Sequence, residues 1–186
     1  MMSFSNPASQ AKEAAANYVK SLLGILGNRD PFAVQEHLLS ALEAAIKGLD
    51  DADLRKPEKP GKWSIMQVIQ HLADTELVSG YRIRMILAHD QPPIQAYDQD
   101  FWANELKYND VNLGEALEQL RTLRKANLRL LRSLTPAQMQ RFGMHAERGP
   151  ESIERILKMI AGHDLVHLNQ IERTIKAIKQ QPHNPL

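Results

Sequence analysis

Four long segments of helical periodicity, with no stretch of strand periodicity beside them, constrain this chain more than any other feature. Ala, Leu, Glu, Gln, Lys and Arg dominate, and aromatic residues make up only 5%. Unbranched side chains lose little rotamer freedom in a helix, so this composition favours helix. No window sustains the alternation of a half-buried strand, and none is predicted. Asp30-Pro31 opens a helix over 31–49, with Asp30 as N-cap and Pro31 in the first turn. Ser64 and Gln67 form a capping box for a helix over 64–89. Asn112, with Glu115 three residues on, opens one over 112–134, and Ser152 opens the last over 152–179. Each carries an apolar stripe, as Ile156, Met159, Ile160 and Val166 do on the last. Four such helices need one another to bury their stripes, and an all-α four-helix bundle is the simplest solution.

The remaining segments fit around that bundle. An additional helix is predicted over 9–26, ended by Gly27-Asn28. Pro57, Pro60 and Gly61 make 50–62 a loop. A long connection over 90–110 joins the second and third bundle helices, with one helical turn near 101–105. Thr135-Pro136 starts a short helical turn, and 144–150 is a loop with extended character. The whole of 1–186 is expected to form one domain, with frayed ends at about 1–8 and 181–186.

Charge and cysteine content narrow the function. Lys+Arg 23 against Asp+Glu 22 leaves +1, which gives no case for nucleic acid or an anionic membrane. The first ten residues lack a basic stretch followed by an apolar run, so no secretory leader is expected and the expected location is cytoplasmic. The chain has no cysteine, so a thiol nucleophile must come from a bound molecule.

Among seven histidines, His163 and His167 stand four residues apart, on one face of the last helix. They share a stripe with Ile156, Ile160, Gln170 and Thr174, which points them inward. Two imidazoles on a core face need partners, and one metal ion satisfies both; neutral imidazole suits Zn, Ni, Cu or Fe. The alternative is a pair of hydrogen-bonded core histidines. No HExxH glutamate lies between them, so a zincin protease is not supported. His71, flanked by Val68, Ile69 and Leu72, is the candidate third ligand from a second helix. Three ligands leave coordination positions open, as catalytic metal sites do.

The order of these pieces is more specific than any one of them. Gly61-Lys62-Trp63-Ser64 leads to His71-Leu72-Ala73-Asp74-Thr75-Glu76, then to Arg82 and Arg84. Asp98, Phe101 and Trp102 follow in the long connection. Gly149-Pro150-Glu151-Ser152 leads to His163-Asp164-Leu165-Val166-His167-Leu168-Asn169-Gln170-Ile171. From about Asn17 onward the chain resembles the DinB superfamily of helical-bundle metalloenzymes, near its DinB_2 and YfiT-like members. The resemblance implies a divalent metal held by His71, His163 and His167, with Zn, Ni and Fe as candidates. It also implies activation of a low-molecular-weight thiol or of water, and a homodimer.

Three functions follow as expectations. The first is a thiol-dependent S-transferase acting on a small-molecule electrophile. The second is a metal-dependent hydrolase using water activated by the metal. The third is a stress-associated metal- or ligand-binding bundle without turnover. Asp74 and Glu76 are the candidate catalytic carboxylates; Asp74 and Gln170, each three residues from a histidine, are candidates to orient a ligand. The competing reading of Asp74 and Glu76 is a surface pair with Arg82 or Arg84. His145 is a candidate group beside the site or on substrate; His89 fits a helix C-terminus, His37 an amphipathic face and His183 the tail. Trp63 reads as a staple against Val68. Tyr97, Phe101 and Trp102 fit a lid, a plug for the bundle end or a dimer contact. Arg121, Arg124, Lys125, Arg129 and Arg132 read as a solvated basic face of the third bundle helix.

Overall fold

The computed structural model describes residues 8–180. Of the frayed ends expected at about 1–8 and 181–186, residues 1–7 and 181–186, and His183 with them, lie outside the described residues, and Ala8 begins a helix. The capping signals locate the helices. Asp30 accepts the Phe32 N–H at 3.0 Å and opens α2 (Pro31–Ala45), after α1 (Ala8–Leu26). Ser64 and Gln67 make their reciprocal bonds at the start of α4 (Ile65–Ala88). Asn112 accepts from the Glu115 N–H to open α6 (Leu113–Arg132). The Ser152 hydroxyl accepts from the Arg155 N–H at the start of α8 (Ile153–Gln180).

Several details differ from expectation. The loop over 50–62 contains a short helix, α3 (Asp51–Arg55), which Asp50 caps. The helical turn expected near 101–105 is present and starts earlier, as α5 (Gln99–Glu105) capped by Asp98, and a one-turn 3-10 helix follows at Tyr108–Asp110. A small sheet is also present: β1 (Pro93–Ile94), β2 (Phe142–His145) and β3 (Gly149–Ser152), with α7 (Pro136–Met139) just before β2. β1 runs parallel to β2, pairing Ile94 with His145; β2 runs antiparallel to β3, pairing His145 with Gly149. Strands of two and four residues are too short to show a period in sequence. This sheet ties the long connection to the entrance of α8 and fixes His145.

In the bundle the extensive contacts are α4 with α6, α2 with α8, α4 with α8, and α2 with α6. α2 therefore stands diagonally across from α4, and α6 across from α8. α1 lies along α8. It approaches closely at Gly162, where a Cβ would stand 2.2 Å from the Leu22 carbonyl oxygen. Two apolar clusters fill the bundle. One gathers Leu38, Leu42, Ile65, Ile69, Leu72, Leu120 and Ile171. The other gathers Ile83, Ile86, Leu131, Ile153, Leu157 and Ile160. Along α4, α6 and α8 the stretch between them is polar yet buried: Asp74 and Glu76, Arg124 and Asn127, His163, Asp164 and His167. A buried polar layer costs stability unless its members satisfy one another, so it marks the place to look for chemistry. Among the described residues no helix is long and apolar enough to cross a membrane.

Candidate metal centre

His71 on α4 and His163 and His167 on α8 meet in that layer. The Nε2 atoms of His71 and His163 are 3.0 Å apart, as are those of His167 and His163. One ligand nitrogen from each ring lies within 4.8 Å of the other two, and all three side chains are buried. Burial and the neighbouring His167 hold His71 down at about 3. Burial brings His167 to about 4, and burial with both neighbours puts His163 well below the usual range. All three are therefore neutral imidazoles at neutral pH. His167 Nδ1 donates to Gln170 Oε1 at 2.9 Å, which leaves its Nε2 lone pair facing the other rings. The Trp63 ring meets His71 at 4.9 Å, edge to face, and so walls that ligand. Trp63 thus borders the site as well as packing against the apolar cluster, a role the staple reading missed.

Around the histidines the carboxylates are held rather than free. Asp74 accepts from Gln70 at 3.2 Å, Gln119 at 2.9 Å and the Tyr108 hydroxyl at 2.5 Å. Burial and Asp74 raise the Tyr108 pKa, so the phenol keeps the proton it donates. Glu76 faces Arg124 at 3.0 Å and accepts from Asn127 at 2.8 Å. Asp164, fully buried, takes two bonds from Arg124, at 2.6 and 3.0 Å. Neither Asp74 nor Glu76 pairs with Arg82 or Arg84: Arg84 donates to Asn127 and the Gly80 carbonyl, and Arg82 to the Gln95 carbonyl. Arg124 departs from the solvated basic face on which the sequence placed it. It is 3% exposed, because its partners arrive from α4 and α8, 40 or more residues away in the chain. Arg121 and Arg132 do lie on the surface, paired with Glu43 and Glu36.

A divalent metal fits this arrangement. Three neutral nitrogens converge: two of their separations are 3.0 Å and the third lies within 4.8 Å, against the roughly 2.8–3.4 Å edges that metal–nitrogen bonds of about 2.0–2.1 Å set in octahedral or tetrahedral geometry. The same layer buries three carboxylates, Asp74, Glu76 and Asp164, with one guanidinium, Arg124. That anionic excess favours a cation beside it.

A cavity of about 180 Å³ opens onto His163 between α1, α4, α8 and the turn joining β2 to β3. His145 and Tyr97 line it; Trp102 packs on Tyr97 at 4.7 Å, and Phe101 points to solvent. Arg82, Arg148 and Glu151 line it too, and sequence reasoning gave none of them a place at the site. His89 ends α4 as its C-cap, and His37 contacts Ser40 on the surface.

Comparison with known proteins agrees with this geometry. Residues 36–171 match the DinB superfamily. A protein of Oceanobacillus iheyensis named "Putative metal-dependent hydrolase" is 31% identical over 141 residues, covering 76% of this chain and 81% of that one. A protein of Halalkalibacterium halodurans with the same designation is 28% identical over 138 residues, covering 74% and 80%. The solved structure of YfiT from Bacillus subtilis, described as "a probable metal-dependent hydrolase with an unusual four-helix bundle topology", superposes with a TM-score of 0.74. It is 22% identical, and the match covers 97% of this chain and 94% of that one.

Proposed function

The chain belongs to the DinB superfamily, and from that premise we propose that it is a metal-dependent hydrolase whose metal is held by His71, His163 and His167. The observation that carries the reading is the convergence of three neutral, buried Nε2 atoms beside an anionic polar layer. The names of the relatives support hydrolysis over other chemistry. Bound there, a divalent cation supplies Lewis acidity and lowers the pKa of a nucleophile.

The chain's own residues do the rest. Gln170 fixes the tautomer and orientation of His167, and Trp63 restrains His71. Arg124, held between Glu76 and Asp164, braces α8 against α4 and so sets the distance between the ligands. Asp74 is anchored by three donors next to α4's histidine, where it orients groups rather than abstracting protons. The cavity at His163 admits a small substrate.

The full engagement of Asp74, Glu76 and Asp164 favours a second reading, thiol-dependent transfer. A thiol, with its pKa near 8.5, needs less help from a base than water does. The chain has no cysteine, so the thiol would be a cosubstrate. Assaying metal-loaded protein with 4-nitrophenyl acetate in buffer, and with 1-chloro-2,4-dinitrobenzene plus a low-molecular-weight thiol, separates the two. Turnover of the ester that a chelator abolishes supports the hydrolase. Turnover only with thiol supports the transferase. No turnover of either, with metal bound, leaves a binding protein.

A further inference from the structure

The cavity at His163 has a wall of hydrogen-bond donors that the reading above does not use. His145 is 3% exposed and lines it. Its Nδ1 accepts the backbone N–H groups of Glu147 at 3.2 Å and Arg148 at 3.3 Å. A lone pair on Nδ1 places the ring proton on Nε2. Burial and Arg148 lower the pKa of His145, so the ring stays neutral and its Nε2–H is a donor only. That group is buried and has no hydrogen-bond partner among the described residues. Buried donors are rarely left unmet unless a ligand or water meets them.

Two guanidiniums share the wall. Arg148 spends Nε and Nη2 on Glu151, and Arg82 spends Nη2 on the Gln95 carbonyl. Among the described residues no hydrogen bond engages Nη1 of either. Both line the same cavity, where burial first and then the nearby Arg148 disfavour the charge on Arg82. Like charges brought together beside a cavity are relieved by an anion. Glu151, bonded to Arg148, also favours the charge on Arg82, and Glu147 lines the cavity with its side chain exposed; among the described residues neither carboxylate meets the Nη1 groups or the Nε2–H of His145. Leu22, Ile156, Met159 and Ile160 supply the apolar part of the same lining. A lining that combines donors with hydrocarbon suits an organic anion better than an inorganic one.

We propose that this cavity selects small organic acids, with the carboxylate held by Arg82, Arg148 and the Nε2–H of His145 and the carbon chain lying against α8. This rests on the proposed function, since it is the metal at His163 that would meet the reactive end. The cavity supplies substrate orientation, and Arg82 and His145 are specificity residues for the reaction.

The test is titration of chelator-treated protein with propionate, its neutral isostere propionamide, and inorganic phosphate, followed by NMR. Propionate should bind at least about tenfold more tightly than propionamide, the loss expected when a charge-assisted contact is removed. It should also bind more tightly than phosphate. Arg82→Gln should weaken propionate about tenfold or more and leave propionamide unchanged. Equal binding of propionate and propionamide overturns the proposal, as does tighter binding of phosphate or an unchanged Arg82→Gln variant. The comparison within the unmodified protein stands even if the variant folds poorly. Zinc titration of the same samples separates the two claims. Zinc binding without propionate preference overturns only the organic-acid site; propionate preference without zinc binding supports that site and removes the metal reading.

Discussion

Arg124→Met tests how the polar layer is held together. Arg124 gives Asp164 two bonds, faces Glu76 at 3.0 Å, and donates to the Gln35 carbonyl at 3.1 Å. In the variant Glu76 keeps its bond from Asn127, whereas Asp164, 0% exposed, keeps no side-chain donor among the described residues. Stranding a buried charge in this way costs about 3–5 kcal/mol, a large part of a typical stability of about 5–15 kcal/mol. The pH dependence identifies the cause. Burial lifts Asp164 to about 6 even against the pull of Arg124. Without that pull it rises further, so the folded variant keeps a proton that the unfolded chain releases near its ordinary value of about 3.9. Stability gained from that proton is fully present in acid and lost as pH rises through the folded pKa. Urea unfolding at pH 7.5 and pH 5, with chelator, should show a deficit relative to the unmodified protein that is large at pH 7.5 and smaller at pH 5. A deficit below about 1 kcal/mol, or one that grows in acid, would refute the argument.

Two further outcomes follow from the same structure. Gly162→Ala gains about 1 kcal/mol of helix propensity but drives its Cβ into the Leu22 backbone, where overpacking costs about 1–3 kcal/mol or more. Thermal melting should show a net loss, and an unchanged or higher melting temperature would contradict the close approach of α1 and α8. Metal-free protein should lose stability as pH falls from about 6.5 toward 4. The unfolded chain then binds protons on its histidines, while the folded state holds His71 near about 3 and His167 near about 4. Asp164 works in the opposite direction, but with one proton against three histidines. A urea midpoint that rises on acidification between pH 6.5 and 5 would show that the histidines are not buried and neutral.

Much of the architecture was legible because its signals are local. The Asp30-Pro31 cap, the Ser64 and Gln67 box and the Asn112 cap each act within one helical turn, and they place the starts of α2, α4 and α6. The helix end was less legible: α2 stops at Ala45 rather than near 49, ahead of Gly48, whose φ of 84° suits glycine. The His163 and His167 pair was legible from its spacing, and His71 from its apolar neighbours. The layer that holds them was not. Arg124 carries the same charge as Arg121 and Arg129 on α6, and only the arrival of Glu76 and Asp164 from other helices makes it a buried cation. Tyr108 reaches Asp74 across 34 residues for the same reason. Arg148 enters the cavity because the β2–β3 turn carries it there, and strands of four residues give sequence no period to read.

The central claim is that three histidines form one metal site, and calorimetric titration tests it most directly. Chelator-treated protein titrated with Zn²⁺ and with Ni²⁺ should bind one equivalent of at least one of them, and the bound metal should raise the melting temperature by mass action. His163→Ala removes the ring that touches both others, at 3.0 Å each, and should abolish both the saturable binding and the rise. The account is contradicted if neither metal binds stoichiometrically, or if His163→Ala binds metal as the unmodified protein does.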